Sequence, residues 1–371
     1  MRVALNNVTD FALGADEGTY VRNTTFLFTH GWGSYADMLR EYLATPGQWI
    51  FPDPLRWGWY ALTTFASHLA GASDARVLAN LSTLAGIISL LLTYLIAREL
   101  LGEKAALFAG ALAVTSPLQL QLGRRALQDE TLCAVTLLVI WIVARIYARA
   151  NALTRSALRW HYAAAIAAAT LMLAIKESSA LLLPAILIFL VAGRRRVTLG
   201  DLLLAVLPPA LFFLGFAIFA HSFGAFFRVV EIVHSVQSAP YAEQYQNGPP
   251  HRLLLDFVSL SPIVVMLAIA AMGAATDDDD RTMKMWTLLV VLTVLPFAFA
   301  SKNLRYVIML DPMLRIAAAA FLARRRMLVA IAFLAASAAA EAWIFSTVFL
   351  AGEVYDPVTG DILEALKMIP H

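Results

Sequence analysis

The run Leu78-Ala-Asn-Leu-Ser-Thr-Leu-Ala-Gly-Ile-Ile-Ser-Leu-Leu-Leu-Thr-Tyr-Leu-Ile-Ala97 holds twenty residues and no charged side chain. As a helix it is about 30 Å long, the thickness of a bilayer's hydrocarbon core. Further apolar cores run over Ala105–Leu120, Leu132–Ala148, Tyr162–Ile175, Ser179–Ala192, Leu202–Ala220, Phe257–Ala275, Trp286–Ala300, Tyr306–Ala323 and Met327–Leu350. Composition agrees: of 371 residues, 60% are hydrophobic and 15% charged, where soluble domains carry about 25% charged residues. The mean hydropathy is +0.71. The expectation is an all-α polytopic membrane protein, a bundle of about ten transmembrane helices.

Several function classes drop out. A formal charge of +2, with no basic patch interleaved with aromatics, gives nucleic acid no footing as a partner. The single cysteine, Cys133, lies in an apolar run and reads as a core residue. Met1 to Ala15 lacks the basic start and apolar core of a cleavable signal peptide.

Loop charges set the sidedness. One set of loops carries Arg98 and Lys104, then Arg145, Arg149, Arg155 and Arg159, then Arg194-Arg195-Arg196, Arg281, Lys284 and Arg324-Arg325-Arg326. The positive-inside rule makes these loops cytoplasmic. The Asp277–Asp280 run falls among them and reads as a solvated turn, since four adjacent aspartates lack calcium-loop spacing. The opposite, outer face receives residues 1 to 77, the Gly123–Glu130 loop, the Lys176-Glu177 turn, the His221–Leu255 loop, the Ser301–Arg305 turn and the C-terminal tail. The chain thus divides into an outer-face loop over 1–77, a helical bundle over 78–350 and a short outer tail over 351–371. No apolar span precedes Asp16, so this topology predicts a first helix upstream of it.

Every candidate catalytic charge falls on that outer face, among them Asp16, Glu17, Arg124, Arg125, Asp129, Glu130, Lys176, Lys302 and Arg305. Two helices along the membrane surface are expected there, one opening at Asp16-Glu17 and one near Leu55. Trp32, Trp49, Trp57 and Trp59 suit the headgroup zone. Taken singly, these charges have ordinary explanations: a helix cap for Asp16-Glu17, a solvated turn for Gly123–Glu130, a Lys176–Glu177 pair, and an ion pair four residues apart for Asp311 and Arg315. Together they supply a carboxylate to take a proton from a hydroxyl and several cations to hold a phosphate and meet its charge as it leaves. Apolar helices beside them can hold a lipid tail. His221, His234 and His251 lack ligand spacing, so no metal site is expected from them.

Asp16-Glu-Gly-Thr-Tyr20, Pro54-Leu-Arg-Trp-Gly-Trp-Tyr60, Ser116-Pro117 with Arg124-Arg-Ala-Leu-Gln-Asp129, Lys176 through Pro184, and Lys302-Asn-Leu-Arg-Tyr306 with Pro312 occur in that order. The set resembles the GT-C membrane glycosyltransferases, the group of aminoarabinose transferases and protein O-mannosyltransferases. The resemblance implies a GT-C-like bundle whose first outer loop carries juxtamembrane helices. It implies an inverting transfer of sugar from a polyprenyl-phosphate donor to a hydroxyl on a lipid, glycan or protein acceptor, at the outer face of a bacterial inner membrane. Asp16 would be the base, Glu17 and Asp129 supporting acids, and Arg56, Arg124, Lys176, Arg305 and Tyr306 the contacts for the donor phosphate or headgroup. No cofactor is required, although some relatives use a divalent cation. Two departures stand out: the usual helix before the acidic pair is absent from the sequence, and no sizeable soluble domain follows the last span. Other classes remain open, a transporter of lipid-linked sugar and a non-catalytic membrane scaffold.

Overall fold

The computed structural model describes residues 15–45, 53–149, 152–194, 196–235, 247–277, 280–299 and 302–369, with the backbone alone at 15, 276 and 277. Trp49, Arg195, Asp278, Asp279 and the Asp277 side chain, all named above, lie outside the described residues.

The described residues are helical and hold no strand. The first outer segment folds as α1 (Ala15–His30), a 3-10 turn at Trp32–Ser34, α2 (Tyr35–Ala44) and α3 (Trp57–Ala70). The bundle follows with α4 (Ala75–Leu101), α5 (Glu103–Val114), α6 (Pro117–Leu122), α7 (Asp129–Arg149), α8 (Arg155–Ile175), a 3-10 segment Glu177–Leu182 leading into α9 (Leu183–Arg194), and α10 (Leu199–Ala220). Where a loop was expected over His221–Leu255, α11 (Gly224–Ser235) forms and α12 (Arg252–Leu260) begins. Then come α13 (Pro262–Asp277), α14 (Arg281–Phe299), a 3-10 turn Leu304–Val307, α15 (Leu310–Ala323), α16 (Met327–Ile344) continuing as a π-helix over Phe345–Ala351, and α17 (Thr359–Ala365).

Over the described residues each of the ten expected cores coincides with helix, but three are broken and short. Among the described residues seven helices are long and apolar enough to cross a membrane: α4, α7, α8, Glu177–Arg194, α10, α14 and Met327–Ala351. The other three cores coincide with α5 of 12 residues, α13 of 16 and α15 of 14. Each is cut short by a local break. Ser116-Pro117 opens a new helix after α5, Ser261-Pro262 separates α12 from α13, and a 3-10 turn precedes α15. Proline has no N–H to continue a helix but fits a first turn, so the chain restarts there.

The packing runs as a chain of neighbours: α4 on α7, α7 on α8 and α8 on α10, with α15 enclosed by α5 and α13. Leu310 through Ala320 are all buried, so short α15 is a core helix. The expected Asp311–Arg315 pair is present at its centre and is larger than a pair. Arg315 Nε donates to Asp311 Oδ2 at 2.9 Å, and Nη2 donates to Asp311 Oδ1 at 3.0 Å and to Glu341 Oε1 on α16 at 2.8 Å. Thr115 donates to Glu341 at 2.6 Å and Ser116 to Asp311 at 2.8 Å. One guanidinium therefore ties α15 to α16 and to the break between α5 and α6.

Arg-rich loop ends gather at the other ends of the helices. Arg149 pairs with Glu99, Arg194 with Asp201, and Arg324 with Asp280, which also caps α14 through the Met283 amide.

Removing Arg315 alone would leave two buried carboxylates without their counter-charge, a change of about 3–5 kcal/mol. Arg315→Leu is expected to lower the thermal midpoint in detergent steeply. The triple variant Arg315→Leu, Asp311→Leu, Glu341→Leu is expected to recover most of the loss, as scanning fluorimetry would show.

Candidate active site

Asp16 and Glu17 occupy the first turn of α1, where carboxylates complement the helix dipole. Consecutive helical residues point about 100° apart, and these two go separate ways. Glu17 is fully buried. Arg125 forks onto it, Nε donating to Oε1 at 2.9 Å and Nη2 to Oε2, and the Ala126 amide donates to Oε1 at 2.9 Å. Asp16 keeps 27% of its side chain exposed and accepts from Arg305 Nη2 at 2.8 Å.

The Gly123–Glu130 segment was expected as a solvated turn. Instead every residue in it is buried. Buried backbone needs partners, and α4 supplies two: Ser82 donates to the Leu127 carbonyl at 2.6 Å and Thr83 to the Gly123 carbonyl at 2.7 Å. Within this segment Arg124 donates to Gln121 Oε1 and to the Phe349 carbonyl, both at 3.0 Å. Asp129 opens α7 and accepts from Lys176 Nζ at 2.7 Å and from Arg305 Nε at 3.1 Å.

The ordinary explanation of Lys176-Glu177, a pair between the two, does not hold. The Lys176 backbone is extended at the end of α8, and successive side chains of an extended chain point to opposite sides. Lys176 goes to Asp129, over the Tyr306 ring at 4.0 Å. Glu177 goes to Arg56, whose Nε donates to Oε2 at 3.2 Å. Burial pushes the Lys176 ammonium below its usual value, against the pull of Asp129. Arg305, buried among Asp129, Asp356 and Asp16, is held well above the ordinary guanidinium value by those carboxylates despite its burial.

Arg56 reaches the site because α3 lies hard against the end of α8. A Cβ on Gly58 would fall 2.6 Å from the Ala174 Cβ. Only a glycine permits that approach, two residues before Lys176. Arg56 Nη1 donates to the Tyr20 hydroxyl at 2.6 Å, and Nη2 lies 3.4 Å from Asp53 Oδ2. Burial, and after it the neighbouring Glu177 carboxylate, push Asp53 up to about 7, against Arg56 and the Leu55 amide. Trp59, expected in the headgroup zone, is wholly buried and edge-on to Tyr20.

Asp16, Arg305, Asp129, Lys176 and Tyr306 thus form one run of contacts, beside a Glu17–Arg125 pair, an Arg56 cluster with Glu177 and Asp53, and Arg124 held by Gln121 and the Phe349 carbonyl. Sequence reasoning missed several members of the site. Arg125, noted only as a charge, is the partner of Glu17. Asp53 and Glu177 share Arg56. Tyr355 and Asp356, in the tail after the last span, reach Arg305. Tyr355-Asp-Pro357 was the available signal, an aromatic, an acid and a proline together on the expected outer side, as in Phe51-Pro-Asp-Pro54. No group of three or more potential metal ligands occurs among the described residues. The donor set fits a divalent ion poorly, since Asp16, Glu17 and Asp129 are each already met by a Lys or Arg.

Residues 57–222 match the family model described as dolichyl-phosphate-mannose-protein mannosyltransferase. No curated protein sequence matches the chain. Among solved structures, ArnT from Cupriavidus metallidurans is similar over 87% of this chain and 60% of that one, at 18% identity and TM-score 0.54. Its form bound to undecaprenyl phosphate superposes equally well. The archaeal oligosaccharyltransferase AglB from Archaeoglobus fulgidus, in complex with an inhibitory peptide and a dolichol-phosphate, matches 88% of this chain and 52% of its own length, at 13% identity and TM-score 0.56. The chain therefore spans about three fifths of the first structure's length and half of the second's. The GT-C-like membrane bundle expected from the sequence is borne out by this fold, and the family resemblance by the matching model.

Asp53 gives the site a pH dependence with a defined sign. Its folded value of about 7 stands above the ordinary aspartate value, so the folded state binds the extra proton. Its contribution to stability is full below about pH 4 and is lost as pH rises to and through about 7. Asp53→Asn is expected to raise the thermal midpoint little at pH 4 and fully at pH 8, measured by scanning calorimetry in one detergent.

Proposed function

We propose that this chain is an inverting glycosyltransferase that moves a sugar from a polyprenyl-phosphate donor to a hydroxyl acceptor, with Asp16 as the base. One observation carries the assignment of the base. Among the site acids Asp16, Glu17, Asp129 and Asp356, Asp16 is 27% exposed while the other three side chains are at most 4% exposed. An acceptor can reach Asp16 without dismantling the fold.

In the proposed step the acceptor oxygen attacks the anomeric carbon and its proton passes to Asp16. The new C–O bond forms as the bond to the phosphate oxygen breaks on the opposite side. The electron pair leaves with the polyprenyl phosphate, and the configuration inverts. Lys176, Arg124 and Arg56, with Tyr306 beside Lys176, meet the charge on the departing phosphate. Glu17 acts by holding Arg125, and Asp129 by holding Lys176 and Arg305 against Asp16. The phosphate of a polyprenyl carrier is a good leaving group, so one base and a cationic cradle suffice.

The donor class is supported by the description of the matching family model and by the undecaprenyl phosphate and dolichol-phosphate bound to two structures of the same fold. We place the reaction on the outer face of a bacterial inner membrane, because the site lies at the helix ends away from the Arg-rich loops. A lipid, glycan or protein can supply the acceptor hydroxyl.

General-base assistance contributes about 10²–10⁴-fold. Asp16→Asn in purified protein is expected to slow consumption of a labelled polyprenyl-phosphate sugar by roughly that factor and to leave the thermal midpoint near that of wild type. Glu17→Gln is expected to lower the midpoint as well, because it breaks the buried fork with Arg125. A wild-type rate in Asp16→Asn would remove Asp16 from the reaction.

A further inference from the structure

Asp356 lies after Met327–Ala351, outside the motifs that carry the family resemblance. We infer that Asp356 is a positioning residue of this site, fixing Arg305 in the orientation that joins Asp16 to Asp129; as a statement about catalysis this rests on the glycosyltransferase reading.

A guanidinium presents its N–H groups in a rigid planar fork, so fixing one edge aims the others. Arg305 Nε donates to Asp129 and Nη2 to Asp16, while Nη1 lies 3.4 Å from Asp356 Oδ1. The same Asp356 oxygen accepts from Asn303 Nδ2 at 3.0 Å. The Asn303 carbonyl oxygen on that side chain in turn accepts from the Arg305 backbone amide at 2.9 Å. Asp356 therefore grips Arg305 at its tip and, through Asn303, at its root. The Tyr355 ring lies against the same guanidinium at 5.4 Å and against Arg125 at 4.6 Å. It covers the cation that holds Asp16 and the one that holds Glu17.

The segment carrying these two residues is anchored on both sides. Upstream, Arg124 donates to the Phe349 carbonyl in the π-helix and Gln121 to the Val354 carbonyl at 3.3 Å. Glu353 turns the chain with φ +50, a left-handed conformation that a non-glycine residue adopts at a cost. Downstream, Asp256 of α12 accepts from the Thr359 amide at 2.7 Å and hydroxyl at 2.6 Å. The π-helix, the turn and the cap together deliver Asp356 to one place. Neutralising Arg305 does not require it, because Asp16 and Asp129 already supply two carboxylates. A third contributes direction.

The test uses the full chain in nanodiscs. Asp356→Asn preserves shape and removes the charge. It is expected to lower kcat by about tenfold to a hundredfold, the range that follows displacement of a supporting group by up to 1 Å. The donor KM is expected to stay within about twofold, since the loss lies in the chemical step. Asp356→Glu is expected to recover part of kcat, and a cryo-EM map of Asp356→Asn to show Arg305 turned away from Asp16. Should Asp356→Asn fail to fold, Asn303→Ser, which cuts the tether at the root, is read in the same way. Unchanged kcat, a change in KM alone, or Arg305 still bridging Asp16 and Asp129 in the map would overturn the inference. If wild type consumes no donor, the glycosyltransferase reading fails separately, and the place of Arg305 in the map still decides what Asp356 does.

Discussion

The site depends on one guanidinium buried among carboxylates. Arg305 reaches acids that enter the chain at positions 16, 129 and 356, and no two of them lie in the same helix. Charges taken out of water are tolerated only when paired in good geometry, and breaking one such pair costs about 3–5 kcal/mol. That constraint explains most of the surrounding polar structure. Lys176 shares Asp129, Arg125 closes on Glu17, and Arg56 gathers Glu177 and Asp53. The hydroxyls of Ser82 and Thr83 serve the backbone of the loop that carries Arg124 and Arg125.

The same logic recurs deeper in the bundle with a different outcome. Arg315, Asp311 and Glu341 are all buried, and each ionised group faces only protein. The cluster fastens α15 to α16 and to the break before α6. It fixes the path of the last span, and so the starting point of the π-helix that carries the chain round to Tyr355. A charge cluster in the core and a charge cluster at the end of the bundle are thus mechanically in series.

Much of the fold was legible because apolar runs between charged breaks report helices directly. The limits of that reading were local. Ser116-Pro117 and Ser261-Pro262 divide what hydropathy alone joins, and α15 is apolar because it is enclosed by α5 and α13. Of the site, the acids and bases were legible as outliers in an apolar chain, yet their pairing was not. Lys176 beside Glu177 reads as a pair, and only the extended backbone at Lys176 sends the two apart. The Gly123–Glu130 loop reads as solvated, and only the α4 hydroxyls, some forty residues earlier in the chain, make its burial tolerable. Asp356 carried no signal beyond its setting between Tyr355 and Pro357. Its place follows from a π-helix and a left-handed turn, neither of which has a strong mark in sequence.

The route by which Asp356 arrives has a consequence for biogenesis. A membrane chain is inserted from its N-terminus, and Asp16, Asp129 and Lys176 are all in place before Arg305 is made. Arg305 in turn waits for the last span before its third carboxylate comes into reach. Until that span is seated, Arg305 has the two carboxylates that neutralise it but lacks the third, which directs it. In chain order the tail that closes over Arg305 and Arg125 thus follows both of the cations it covers. A chain halted before that span would lack both the acid that directs Arg305 and the ring that covers it.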